Sequence, residues 1–90
     1  MIRTVLLGGR AGLHIRAASR IAIAAARQPV PVTVRTLSRP AVPADSVLSL
    51  LSLGALCGTE LILEAYGRGA DVALENLAEL FAADPDAAGA

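Results

Sequence analysis

The chain has 90 residues, 54% of them apolar, and a formal net charge of zero, which makes it one small domain with one core. The charge balance gives no general attraction to nucleic acid or to an anionic membrane, the single cysteine, Cys57, permits neither an internal disulfide nor a metal framework, and His14 is the sole histidine. Neither "MIRTVLLGGR" nor "AASRIAIAAA" has the length of a secretory signal or a membrane span, so a cytoplasmic protein without direct membrane contact is expected.

"IRTVLL", residues 2 to 7, is β-branched and apolar and stops at Gly8-Gly9, which reads as a strand with Val5 and Leu7 on one face. Residues 15 to 27 are helix formers without Gly or Pro. Ala18, Ile21, Ala22 and Ala25 form the buried stripe of that helix, and small side chains there let it sit close to a sheet. Arg16, Arg20, Ile23 and Arg27 fall on the opposite face, as a solvated or docking surface. "VPVTVRTL", 30 to 37, is a second strand with Val30, Val32 and Val34 on one side. Residues 40 to 43 allow only a short edge strand, because Pro40 and Pro43 lack ladder donors. Asp45 or Ser46 then caps a short helix, "VLSLLSL", stopped by Gly54. "TELILEAY", 59 to 66, alternates: Leu61, Leu63 and Ala65 on one face, Glu60, Ile62 and Glu64 on the other. A last helix over 70–82 turns Ala70, Ala73, Leu74, Leu77, Leu80 and Phe81 inward. The domain is expected to span 1–83 and a flexible tail 84–90. The order β-α-β-β-α-β-α predicts an α+β fold: a four-stranded antiparallel sheet covered on one face by helices.

Chemistry is concentrated in "GLHIRAA", residues 12 to 18. His14 has several readings. It is a surface or N-cap residue without chemistry, or a metal ligand with Cys57 as its one soft partner, or the base of a Ser or Cys nucleophile, or itself a nucleophile. The last reading has physical support from its place. A helix start offers outward-pointing amides and the positive end of a dipole, which accept phosphate and favour a neutral ring. Arg16 adds a guanidinium fork for phosphoryl oxygens. Gly8, Gly9 and Gly12 match neither a P-loop nor a dinucleotide fingerprint.

These residues resemble a known family. "GLHIRAA" is similar to the G-L-H-x-R-P-A phosphorylation motif of the HPr family, the histidine-containing phosphocarriers of the sugar phosphotransferase system. "ADSVLSLLSLG", 44 to 54, resembles the stretch around that family's regulatory serine, and the segment from Gly58 to Phe81 resembles its last strand and helix. The resemblance runs over about residues 2 to 82 and implies an open-faced β-sandwich. It implies that His14 takes a phosphoryl group on Nδ1 from enzyme I and passes it to a IIA component of a sugar transporter. Arg16 and the amides of Ile15, Arg16 and Ala17 would hold the phosphate. Ser46 would be the regulatory site, against its plain reading as an N-cap. Arg20, Ile23, Val47, Leu48 and Leu51 would form the docking surface, which the family's acidic partners complement. It implies no cofactor or metal, no nucleic acid partner, and a monomer. This sequence departs from the motif at Ala17, where the family has Pro, and at Ile15, which is bulkier than usual. Ser49 stands where Gly is common, and Asp45 where Lys is frequent.

Two functions compete. One is a phosphoryl carrier, which is not an enzyme because its partners regenerate it. The other is a regulatory or binding module of the same fold, acting through docking or in a phosphorelay unconnected with sugar.

Overall fold

The computed structural model describes residues 1–85. Its elements are β1 (Ile2–Leu6), α1 (Ile15–Ala26), β2 (Thr33–Arg35), β3 (Val42–Pro43), α2 (Val47–Ser52), β4 (Glu60–Glu64) and α3 (Ala70–Ala82). The strands form one sheet in the order β1-β4-β2-β3, with every neighbouring pair antiparallel. This is the expected four-stranded sheet with helices over one face.

Alternation sorts the sheet. Leu61 and Leu63 of β4 are wholly buried, and Val34, paired with Leu63, is buried beside them. Glu60, Ile62 and Glu64 point to the open face, as expected. Against the inner face lies α1, with Ala18, Ile21, Ala22 and Ala25 all buried and Arg16, Arg20, Ile23 and Arg27 exposed. Ala17 joins the buried set. α3 contributes Ala70, Ala73, Leu74, Leu77, Ala78 and Phe81, while Leu80, expected inward, is half-buried at the rim. Phe81, Leu50, Leu61, Leu63, Leu77 and Val34 are the largest fully buried side chains. Each such burial contributes about 1.5–3 kcal/mol.

Every element but α3 is shorter than the sequence suggests: α1 ends at Ala26, β3 covers Val42–Pro43 and β4 covers Glu60–Glu64. The second strand covers Thr33–Arg35 rather than 30 to 37, because Pro29 and Pro31 supply no ladder amides before it. Val32 still accepts from Ala44 N at 2.9 Å, so the chain enters the sheet before regular pairing starts. β1 ends at Leu6, yet Leu7 remains tied to the neighbouring loop, donating to Thr59 O at 3.0 Å and accepting from Gly58 N at 2.7 Å. α2 ends at Ser52, and its cap is Ser46 rather than Asp45. Beyond α3, where a tail was expected from residue 84, Asp84 and Pro85 are half-buried against the first loop. Residues 86–90 lie outside the described residues.

Candidate functional site

The loop from β1 to α1 delivers His14, and it is held at both ends. Gly8 N donates to Phe81 O at 2.9 Å, and Leu13 N donates to Ala55 O at 3.1 Å. The glycines at these points are required. A Cβ on Gly8 would lie 1.7 Å from the Ala82 carbonyl oxygen, inside its van der Waals shell. Gly12 has φ +78°, and a Cβ there would come to 3.1 Å from Ala55 O. A turn closed by Gly12 N to Gly9 O, 2.9 Å, then brings the chain into Leu13, which is buried.

His14 is the N-cap of α1, with φ −91° and ψ 176°. Its carbonyl accepts from Ala18 N at 2.8 Å, the first bond of the helix. Its side chain does the work usually done by Ser or Asp: Nδ1 accepts the Ala17 amide hydrogen at 3.3 Å. An acceptor nitrogen carries a lone pair and no proton. The ring therefore aims the Nδ1 lone pair into the amides that open the helix, and any proton on the neutral ring sits on Nε2. No acidic residue occupies the first turn of α1, so no carboxylate of the helix itself competes for that end. Ile15 and Arg16 are exposed at the helix start, while Ala17 is buried with only its amide engaged at the ring.

Around this point lies an apolar surface. Ile15 is 66% exposed, Ile23 55% and Leu48 81%. Val47 and Leu51 are half-buried and Arg20 is exposed. α1 and α2, which carry these residues, pack against each other. Leu56, 69% exposed, was missed; its side chain lies 3.8 Å from where a Gly12 Cβ would be. Nothing in a loop sequence such as "GALCG" signals that neighbour, which long-range pairing alone creates. Cys57 is exposed in the same loop, with Sγ 3.9 Å from Gly8 O.

Ser46 caps α2 in the same manner as His14 caps α1. Its Oγ accepts from Ser49 N at 3.2 Å, and the residue is half-buried. Among the described residues no group of three or more His, Cys, Asp and Glu gathers to hold a metal ion. No helix among them is long and apolar enough to cross a membrane.

The fold and the site together define a small open-faced β-sandwich that presents a histidine at a helix N-terminus. Comparison with known proteins agrees with this class. The family model described as the PTS HPr component phosphorylation site matches residues 2–83. The phosphocarrier protein HPr of Streptomyces coelicolor is 44% identical over 80 residues, which cover 89% of this chain and 86% of that protein. The crystal structure of HPr from Bacillus anthracis superposes with a TM-score of 0.83 at 25% identity, covering 90% of this chain and 95% of the other. Crh of Bacillus subtilis, described as a catabolite repression protein that forms an intertwined, swapped dimer, is 34% identical with a TM-score of 0.69, covering 80% of this chain and 82% of the other. The chain belongs to the HPr family of the phosphotransferase system. It is a phosphocarrier of sugar transport by family, not a catalytic enzyme.

Proposed function

We propose that the chain carries a phosphoryl group on His14 Nδ1, taking it from phospho-enzyme I and giving it to a IIA component in the cytoplasm. The observation that carries this is the hydrogen bond from Ala17 N to Nδ1, which leaves that nitrogen with a lone pair directed at a helix N-terminus. The lone pair attacks phosphorus in line and the N–P bond forms. The donor's own P–N bond breaks, and its electron pair returns to the donor histidine ring. The phosphoryl oxygens then take up the amides of Ile15, Arg16 and Ala17, the last moving over from the ring nitrogen. The Arg16 guanidinium adds charge-assisted bonds. Transfer onward is the same step in reverse, with the acceptor's ring nitrogen as nucleophile. His14 is half-buried rather than enclosed, so a second imidazole can approach it edge-on.

Partner docking uses Arg20, Ile23, Val47, Leu48 and Leu51, to which the exposed Ile15 and Leu56 add area. An acidic rim on the partner complements Arg16 and Arg20. Ser46 is a structural N-cap here: its Oγ already serves Ser49 N, and a phosphate added beside Asp45 would meet that carboxylate's charge. The carrier acts as a monomer, which a sedimentation measurement separates from a swapped dimer of the kind described for Crh. Intact mass after incubation with enzyme I and phosphoenolpyruvate tests the main reading. One acid-labile phosphoryl group, absent in His14→Ala, is expected. No gain on a folded sample with active enzyme I would overturn it and leave the regulatory module.

A further inference from the structure

The carbonyl that holds the chain just before His14 belongs to a peptide unit that is itself held from its other side. Leu13 N donates to Ala55 O at 3.1 Å, and Leu56 N, in the same peptide plane as that carbonyl, donates to Thr59 Oγ1 at 2.9 Å. The N–H and C=O of a trans peptide point in opposite directions from one rigid plane, so fixing one fixes the other. The Leu13 amide shares its own plane with the Gly12 carbonyl, which accepts from His14 N at 3.1 Å. Two peptide planes and three hydrogen bonds in series thus connect the Thr59 hydroxyl to the backbone of His14. Thr59 is a firm anchor for them. Its amide donates to Leu56 O at 2.9 Å, its carbonyl accepts from Leu7 N at 3.0 Å, and β4 begins at the next residue. Leu13 and Ala55 are buried whereas Leu56 is exposed, so water reaches the chain of bonds at its Thr59 end.

We propose that Thr59 is a positioning residue for phosphoryl transfer: its Oγ1 orients the Ala55–Leu56 peptide, and through it the Leu13–His14 backbone that aims the imidazole at the start of α1. This rests on the reading of His14 as the phosphoryl acceptor. The ring direction follows from the extended backbone of the cap, φ −91° and ψ 176°, and the amides of Leu13 and His14 hold that backbone. Hydrogen bonds in series polarise one another, so a Leu56 amide bound to the hydroxyl makes Ala55 O a stronger acceptor for Leu13. Without the hydroxyl, water satisfies the exposed Leu56 amide at little cost in stability, but a water has no fixed place on the chain. What is lost is direction: the peptide plane turns more freely, and the ring spends less time in the geometry of in-line attack.

The test uses the full chain and phospho-enzyme I in single turnover, and reads the rate of transfer over a series of carrier concentrations. Thermal melts and amide NMR spectra of the free protein are recorded alongside. Thr59→Val keeps the shape of the side chain and removes the acceptor, whereas Thr59→Ser keeps the acceptor. Thr59→Val is expected to lower the limiting rate on the order of fivefold, to leave the half-saturating concentration within about twofold of the parent's, and to move the Leu13 and Ala17 amide resonances. Thr59→Ser keeps the parent rate and those resonances. Ile62→Ala, on the open face of β4, measures the effect of lost stability alone and keeps the parent rate. A Thr59→Val limiting rate equal to the parent's, or lowered no further than that of Ile62→Ala, overturns the inference, as does a Thr59→Ser variant as slow as Thr59→Val. A rise in the half-saturating concentration alone would assign the loop to docking through Leu56 and overturns it too. A parent chain that takes no phosphoryl group overturns the reading of His14 and this inference with it.

Discussion

Ala17 is the departure from the family motif with the clearest chemical consequence, and Ala17→Pro isolates it. The residue stands third in α1, in the first turn, where its amide has no carbonyl partner within the helix. That amide binds His14 Nδ1 at 3.3 Å, a bond proline cannot make. A neutral bond of this length is worth about 0.5 kcal/mol, at the weak end of the range. In the phosphorylated state the same amide would donate to a charged oxygen, worth about 1.5–3 kcal/mol. Ala17→Pro loses both, so the phosphorylated state is disfavoured by about 1–2.5 kcal/mol relative to the free one. That is roughly a fivefold to sixtyfold fall in the equilibrium ratio of phosphorylated to free protein. The backbone tolerates the change, since position three precedes the hydrogen-bonded body of the helix. The assay is the partition of phosphate between enzyme I and carrier at equilibrium, measured by intact mass. Ala17→Gly, which keeps the amide, serves as control and should stay near the parent ratio. A ratio for Ala17→Pro within twofold of the parent, on a folded protein, would refute the assignment of this amide to the phosphoryl group.

Three further outcomes follow from the packing. Gly8→Ala places a methyl 1.7 Å from Ala82 O, with backbone on both sides of the clash; it should cost about 3 kcal/mol and lower Tm by more than about 10 °C in a thermal melt. Thr36 is buried at 7% exposure, and its Oγ1 has no hydrogen-bond partner among the described residues. Thr36→Val removes that orphan at nearly constant volume and should raise stability by about 1 kcal/mol in urea titration; a loss would show that the hydroxyl is satisfied in solution. Tyr66 donates its hydroxyl to Glu64 Oε2, and this bond first, then loss of hydration and the carboxylate charge, holds the phenol above its usual value of 10.0. A raised value means the contact persists through neutral pH and is lost as pH climbs through the folded-state value. Glu64→Gln should bring the phenolate absorbance titration back toward 10.0.

The elements that were legible in the sequence are those whose burial follows from local periodicity. α3 is read to the residue, since Gly69 and the apolar stripe from Ala70 to Phe81 leave one register. β4 is equally plain, because its alternation matches a sheet with one covered face. β2 was overestimated: valines at 30, 32 and 34 give the same period-two signal whether or not the intervening residues can donate, and Pro29 and Pro31 cannot. The cap of α2 was open between Asp45 and Ser46 because both side chains accept amide hydrogens, and only the turn geometry selects Ser46. His14 stood out as the lone histidine before a helix, but its direction was not legible. The contact of Nδ1 with Ala17 depends on the His14 backbone being extended, which the Gly12 turn and the Leu13–Ala55 bond impose from residues far along the chain. Arg10–Asp84 lay beyond reach for the same reason, being a pairing across 74 positions.

The small-residue stripe of α1 links the fold to the chemistry. Ala18, Ala22 and Ala25 carry little apolar area, so they stabilise α1 less than leucines would. What they provide is close approach of α1 to α2 and α3, the two elements it packs against, rather than to the strands. That approach lets Ala55 O reach Leu13 N and lets the loop from β1 arrive at Ala18 with His14 as cap. A larger residue at Ala18, which is completely buried, would push the helix outward and move the cap with it. The His14 cap is thus positioned by packing on the inner face of α1, while Arg20 and Ile23 lie exposed on the outer face. On the proposed reading of His14, separating the two tasks by helix face would let Arg20 and Ile23 vary without disturbing the phosphoryl site.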